Sequence, residues 1–165
     1  KRIDDASTQK QEQIARITRM KKLQGFDSKE QYASQLFQLS NSKTIIFANT
    51  QKQADKLCEH SVHSKNKKSD ENLEMFKDGT IDKLSAVEQL SEGVTIPELK
   101  TGIIMHAYGN NRKAAQKIGR LLRLNPEDKS NIHVLCYRYT IDEKWVESAL
   151  SDFDESKIKW GNHGK

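Results

Sequence analysis

The sequence predicts an α/β fold with a central, mostly parallel sheet preceded by helices, and three observations carry that expectation. Short β-branched runs such as Thr44-Ile45-Ile46-Phe47-Ala48 do not alternate apolar with polar residues, as strands covered on both faces do not. Segments with helical spacing separate these runs, so strand and helix take turns along the chain. Capping-box patterns stand at helix starts: Ser28-x-x-Gln31, Thr50-x-x-Gln53 and Thr140-x-x-Glu143.

Each element has its own local reason. From Gln11, Ile14, Ile17, Met20 and Leu23 recur at helical spacing until Gly25. Ser28 opens a second helix whose buried side is assigned to Tyr32, Leu36 and either Leu39 or Phe37. These lead-in helices either pack beside the sheet or link to a preceding domain. The strand from Thr44 to Ala48 stops at Asn49-Thr50, and Thr50 caps a helix running to about His60. A short strand is placed at Ser61-Val62-His63, with Ser64 at its carboxyl end; a helix opened by Ser69 then buries Leu73 and Phe76. Phe76-x-x-Gly79 turns the chain into a strand from Lys83 to Glu88, and another strand spans Thr101 to Ala107. Gly109-Asn110-Asn111 supplies cap residues for a helix that ends at Asn125-Pro126. The last core strand is placed at Ile132–Tyr137, with His133 read as a packed or edge histidine. The closing helix packs through Trp145, Val146 and Leu150.

Composition narrows the function classes. The length of 165 residues suits one domain with a helical appendage, divided here as 1–41, 42–150 and a polar tail 151–165. Lysine and arginine total 28 against 23 acids, a mild basic excess that permits a nucleic-acid or nucleotide partner. No apolar run approaches the ~18 residues that span a bilayer, and no signal-peptide pattern opens the chain. A cytoplasmic location without a membrane partner is expected, or an intracellular one in a host, since the lysine- and asparagine-rich composition fits a phage or bacterial source. Cys58 and Cys136 are expected as free thiols in a reducing compartment. Cys58, His60 and His63 lack the second ligand pair that a tetrahedral site requires, so no metal site is assigned. The start at Lys1 without Met reads as a fragment or a processed product.

The richest stretch is Ser85 to Arg123. As a helix, its last part gathers Gln116, Arg120 and Arg123 within roughly a 60° arc, opposite Ala114, Ala115, Ile118, Leu121 and Leu122. Arginines one turn apart form a fixed cationic fork suited to phosphate. Gly119 within such a helix costs on the order of 1 kcal/mol relative to Ala, which calls for a close approach of backbone or ligand. The chain contains neither a G-x-x-x-x-G-K-[ST] phosphate loop nor an acidic metal-binding run of the D-E-x-[DH] type.

Taken in order, Lys43 to Thr50, Phe76-x-x-Gly79, Glu92-Gly93-x-x-x-Pro97 and Gln116-x-x-Gly119-Arg120-x-x-Arg123 resemble motif IV, the F-x-x-G element, motif V and motif VI of superfamily 2 helicases. The resemblance covers roughly Lys43 to Trp145 and is to the second, C-terminal RecA-like motor domain, of the translocase or repair type. It implies a three-layer RecA-like domain at 42–150 and an ATP-dependent helicase or translocase as the larger polypeptide; this chain alone is not expected to hydrolyse ATP. The resemblance further implies that Arg120 and Arg123 act as catalytic arginine fingers, and that Glu92, Gly93, Thr95 and Gln116 face ATP. Asn49, Thr50, Ser64, Gln89 and Ser91 are implied to grip a nucleic-acid backbone, with DNA favoured. ATP and Mg²⁺ are implied as cofactors, held mainly by an upstream RecA-like partner domain.

Two departures stand out. Thr95 occupies a position where family members often carry an acid, and Gln116-Lys117 stands where many carry His-Arg. The alternative expectation is a non-catalytic RecA-like module that binds nucleic acid or protein. A third reading, a small nucleotide or sugar-phosphate transferase using the two arginines as a clamp, lacks a recognisable nucleophile.

Overall fold

The computed structural model describes residues 11, 27–87, 90, 94–106 and 130–161. Its centre is a five-stranded parallel sheet in the order β2-β3-β1-β4-β5, formed by β1 (Thr44–Phe47), β2 (Ser61–Val62), β3 (Lys83–Ala86), β4 (Thr101–Ile104) and β5 (Asn131–Val134). The register aligns Phe47 with Ala86 and Ile104, and Ile104 with Val134, so the carboxyl ends form one edge.

Four α-helices are seen among the described residues: α1 (Asp27–Leu39), α2 (Gln51–Leu57), α3 (Ser69–Asp78) and α4 (Ile141–Leu150). The period-2 alternation of strand side chains divides the core into two layers. Ile45, Phe47, Leu84, Ala86 and Ile104 meet Phe76 of α3 and Val146 and Ala149 of α4. Ile46, Ala48, Ile103 and Met105 meet Ala33 and Phe37 of α1 and Ala54 and Leu57 of α2. With both faces covered, β1 and β4 are buried throughout, which is why their sequences show no polar alternation. This is the expected three-layer arrangement, and α1 belongs to it by packing beside the sheet.

Two of the three capping patterns form. Thr50 accepts from the Gln53 N–H, and the Gln53 side chain reaches back to the Asn49 N–H at 3.0 Å. Thr140 accepts from the Asp142 N–H, and Glu143 reaches back to the Tyr139 N–H at 2.7 Å. Both therefore satisfy the donor one residue ahead of the cap. Gly79 closes α3 at φ 85°, the left-handed conformation that the Phe76-x-x-Gly79 turn requires.

Several expected boundaries move. Helix α1 begins at Asp27, and Ser28 does not cap it; the Ser28 hydroxyl lies 3.1 Å from that of Tyr137. Its buried stripe is Lys29, Ala33 and Phe37, with Tyr32 and Leu36 half-buried and Leu39 79% exposed. Helix α2 ends at Leu57 instead of near His60, because Cys58 turns to extended backbone while its N–H still bonds the Ala54 carbonyl. Ser69 is the first residue of α3 but not its cap; its hydroxyl bonds both the N–H and the carbonyl of His63. Strand β4 ends at Ile104 rather than Ala107, and β5 at Val134 rather than Tyr137, since the Tyr137 N–H leaves the sheet to bond Asp142. In the tail, a short 3₁₀ turn spans Glu155–Lys157 and Phe153 packs on the core, while Trp160 is exposed. The expected helices at 11–25 and 112–124 lie outside the described residues, apart from Gln11. Among the described residues no helix is long and apolar enough to cross a membrane.

Candidate functional site

The carboxyl edge of a parallel sheet is where open α/β folds bind ligands, because strand-to-helix turns expose backbone and cap residues there. Asn49 and Thr50 leave the end of β1, and Ser64 follows β2 beyond His63. These strands are separated by β3, yet a 3.0 Å hydrogen bond from Gln51 Nε2 to Ser64 Oγ joins the two exits. Gln51, Val62, His63, Ser64, Val87 and Leu90 line a pocket of ≈ 190 Å³ between them. That is below the ~300–1,000 Å³ of sites that enclose a small molecule.

The chemistry of this edge is that of hydrogen-bond donors. Asn49 Nδ2 is buried with no acceptor among the described residues. Thr50 uses an oxygen lone pair in its cap and Ser64 uses one on Gln51, which leaves each hydroxyl proton to donate. The exposed hydroxyls of Thr50 and Ser64 are neutral donors that suit a group that only accepts, such as a phosphodiester oxygen.

Behind the edge, a polar network holds the β2 exit in place. His63 Nε2 and Ser61 Oγ both bond Asp55 Oδ1, at 2.8 and 2.6 Å, and hold the Asp55 carboxyl below its ordinary range, Ser61 contributing most. His60 Nδ1 lies 3.3 Å from Asn72 Oδ1. Cys58, His60 and His63 thus have separate partners, and among the described residues no group of three metal-ligating side chains comes together. Cys58 and Cys136 are free thiols, and burial raises both pKa values.

Of the residues assigned to ATP, Thr95 is described and is exposed between the buried Leu90, Ile96 and Leu99, which pin its segment into the core. Arg120, Arg123, Gln116, Glu92 and Gly93, together with Gln89 and Ser91 of the nucleic-acid set, lie outside the described residues. Thr95 presents one exposed hydroxyl, and the described residues present no carboxylate set that would fit Mg²⁺.

A second polar centre lies beyond β4 and β5 and was not expected from the sequence. Lys29 Nζ pairs with Asp142 Oδ2, stands 3.0 Å from His106 Nδ1, and sits 4.6 Å above the Tyr137 ring. Asp142 Oδ2 also accepts from the Tyr137 N–H at 2.9 Å, and the Tyr137 hydroxyl accepts from the Lys29 N–H. Burial, then the charge of Lys29, pushes the His106 pKa down to about 3, so the ring is neutral and its Nδ1 accepts from the ammonium. Burial also lowers the pKa of Lys29 itself, opposed by Asp142. The available signal was a lysine at position 29 in line with Ala33 and Phe37 on one helix face.

Comparison with known proteins agrees with this architecture. The profile of the helicase conserved C-terminal domain matches residues 28–125. A DNA 3'-5' translocase, XPB2 of Sulfurisphaera tokodaii, is 32% identical over 66 residues, which is 40% of this chain. This chain spans 15% of the length of that relative. Among solved structures, the C-terminal domain of S. cerevisiae Dbp5, bound to Gle1 and IP6, superposes with a TM-score of 0.60 at 15% identity, covering 80% of each chain. E. coli SrmB, a DEAD-box protein solved with the regulator RraA, gives 0.58 at 14% identity, over 76% of this chain and 79% of that one. These likenesses show the fold to be that of RecA-like helicase C-terminal domains. Because the profile match takes in more than half of the sequence, from α1 through the arginine-bearing segment, the chain belongs to the helicase conserved C-terminal domain family.

Proposed function

We propose that the chain is the second motor domain of an ATP-dependent superfamily 2 helicase or translocase. The observation that carries this reading is the set of donors with no acceptor among the described residues, the buried Asn49 amide and the exposed Thr50 and Ser64 hydroxyls, on the carboxyl edge of a domain of this family. These residues, with Gln89 and Ser91, hold the phosphate backbone without reading bases, so grip is independent of sequence. DNA is the favoured strand, in keeping with the DNA translocase that shares 32% identity over part of the chain.

ATP bound between this domain and an upstream RecA-like domain would supply the phosphoanhydride to be cleaved, and the upstream domain would hold most of it together with a charge-screening Mg²⁺. From this side, Glu92, Gly93 and Thr95 face the nucleotide and Gln116 contacts its terminal phosphate. Arg120 and Arg123 bring guanidinium charge to the γ-phosphate, a role worth about 10³ to 10⁵ in rate where such fingers act. Closure of the cleft onto the nucleotide changes the grip on the strand and produces stepping. The chain alone holds too little of the site to hydrolyse ATP.

The test of the grip is binding of a labelled single-stranded oligonucleotide to the wild type and to Asn49→Ala. Weaker binding by the variant, across unrelated sequences alike, supports the reading. Equal affinity removes Asn49 from the interface, and absence of binding by both proteins contradicts the nucleic-acid role.

A further inference from the structure

The loop that joins β2 to α3 carries Lys65, Lys67 and Lys68, all exposed, and Lys52 is exposed on the first turn of α2. Four other lysines are engaged, Lys56 with Glu30, Lys77 with Glu74, and Lys43 and Lys83 with backbone carbonyls, whereas Lys144, Lys157 and Lys159 on α4 and the tail are exposed like those of the loop. Among the described residues, Lys52, Lys65, Lys67 and Lys68 pair with no carboxylate.

The backbone beneath these charges is held by a compact set of hydrogen bonds centred on Asn66. Its Nδ2 donates to the carbonyl and hydroxyl of Ser61, both at 2.8 Å, and its Oδ1 accepts from the Lys68 N–H at 2.9 Å. Its N–H bonds the His63 carbonyl, and its own carbonyl accepts from the Ser69 N–H. The Ser69 hydroxyl closes the loop on His63 at 2.9 and 3.1 Å. Asn66 therefore faces inward while the lysines on either side face out. The loop follows directly on Ser64, whose hydroxyl is bonded by Gln51 of α2.

We infer that Lys65, Lys67 and Lys68 form a preorganised cationic clamp for nucleic-acid phosphates that continues the grip of Ser64. The inference rests on the nucleic-acid reading proposed above and names residues outside its set. Holding the loop before binding lowers the ordering cost of the contact. Each phosphate neutralised by a lysine releases condensed counterions, so this clamp supplies the salt-dependent part of the affinity, whereas the neutral donors supply little of it.

The experiment measures oligonucleotide affinity against salt for the wild type, for Lys65→Gln/Lys67→Gln/Lys68→Gln, and for Lys144→Gln/Lys157→Gln/Lys159→Gln. The second triple removes equally exposed charges from α4 and the tail. For a single strand, loss of two to three contacts flattens the slope of log affinity on log salt by roughly 1.4–2.1. The control triple leaves the slope unchanged. Asn66→Ala, which keeps every lysine, weakens binding with little change in slope. If Asn49→Ala weakens binding while the loop triple leaves the slope unaltered, the clamp is overturned and the grip survives; the lysines then serve another partner, such as an acidic protein. If the wild type binds no oligonucleotide at any salt, both the grip and the clamp fall.

Discussion

Lys29 on α1 and Asp142 in the first turn of α4, 113 residues apart, form an ion pair whose side chains are 4% and 1% exposed. The pair fastens an early helix to the closing one across the carboxyl ends of β4 and β5. Its partners His106 and Tyr137 draw the exits of those two strands into the same knot.

Removing one charge from this pair strands the other in the interior. Lys29→Met is expected to lose about 3–5 kcal/mol in urea denaturation. Lys29→Met/Asp142→Asn removes both charges at nearly constant volume and should recover a substantial part. A double variant no more stable than the single one would show that the pair matters through something other than the stranded carboxylate.

The neutral state of His106 gives stability a pH dependence. The folded-state pKa, about 3, lies below the ordinary 6.5, so the unfolded chain binds the proton more readily. The contribution is complete above pH 6.5 and is lost as pH falls toward 3, at up to about 1.4 kcal/mol per pH unit. His106→Gln should flatten the stability curve between pH 6.5 and 4.5, where carboxylates add least. A curve of unchanged steepness would place the titrating group elsewhere.

Thr50 has two roles that one substitution can separate. Aspartate is as good a cap as threonine, so Thr50→Asp should keep stability within about 0.5 kcal/mol, whereas Thr50→Ala loses about 1 kcal/mol with the cap. A carboxylate beside a phosphate is repelled, and Thr50→Asp should weaken oligonucleotide binding by roughly tenfold, or ~1.4 kcal/mol. Undiminished binding by Thr50→Asp would confine Thr50 to its helix.

The parallel sheet was legible because unalternating runs such as Thr44–Phe47 and Thr101–Ile104 leave little other use for so many buried β-branched residues. Thr50 and Thr140 were legible as caps because a cap is a local arrangement of side chain and backbone. Ser28 failed as one because its hydroxyl found Tyr137, a contact between residues 109 apart that no local pattern encodes. The same reason hid the Lys29–Asp142 pair: apolar spacing passes over a lysine, and a buried charge is explained only by its distant partner. Asn49, Thr50 and Ser64 could be placed at one edge from strand order, but the Gln51 bridge between their turns depends on side-chain reach across β3.

The proposed motor role requires Arg120 and Arg123 to complete an ATP site shared with an upstream domain. The most direct measurement is nucleic-acid-stimulated ATP hydrolysis by the polypeptide that carries both domains, comparing wild type with Arg120→Ala and Arg123→Ala. A fall in kcat of about 10²-fold or more for either variant, with nucleotide binding largely retained, is the predicted result. Hydrolysis that proceeds equally well without these arginines, or a wild type that does not hydrolyse ATP at all, would contradict the motor role and leave a RecA-like binding module.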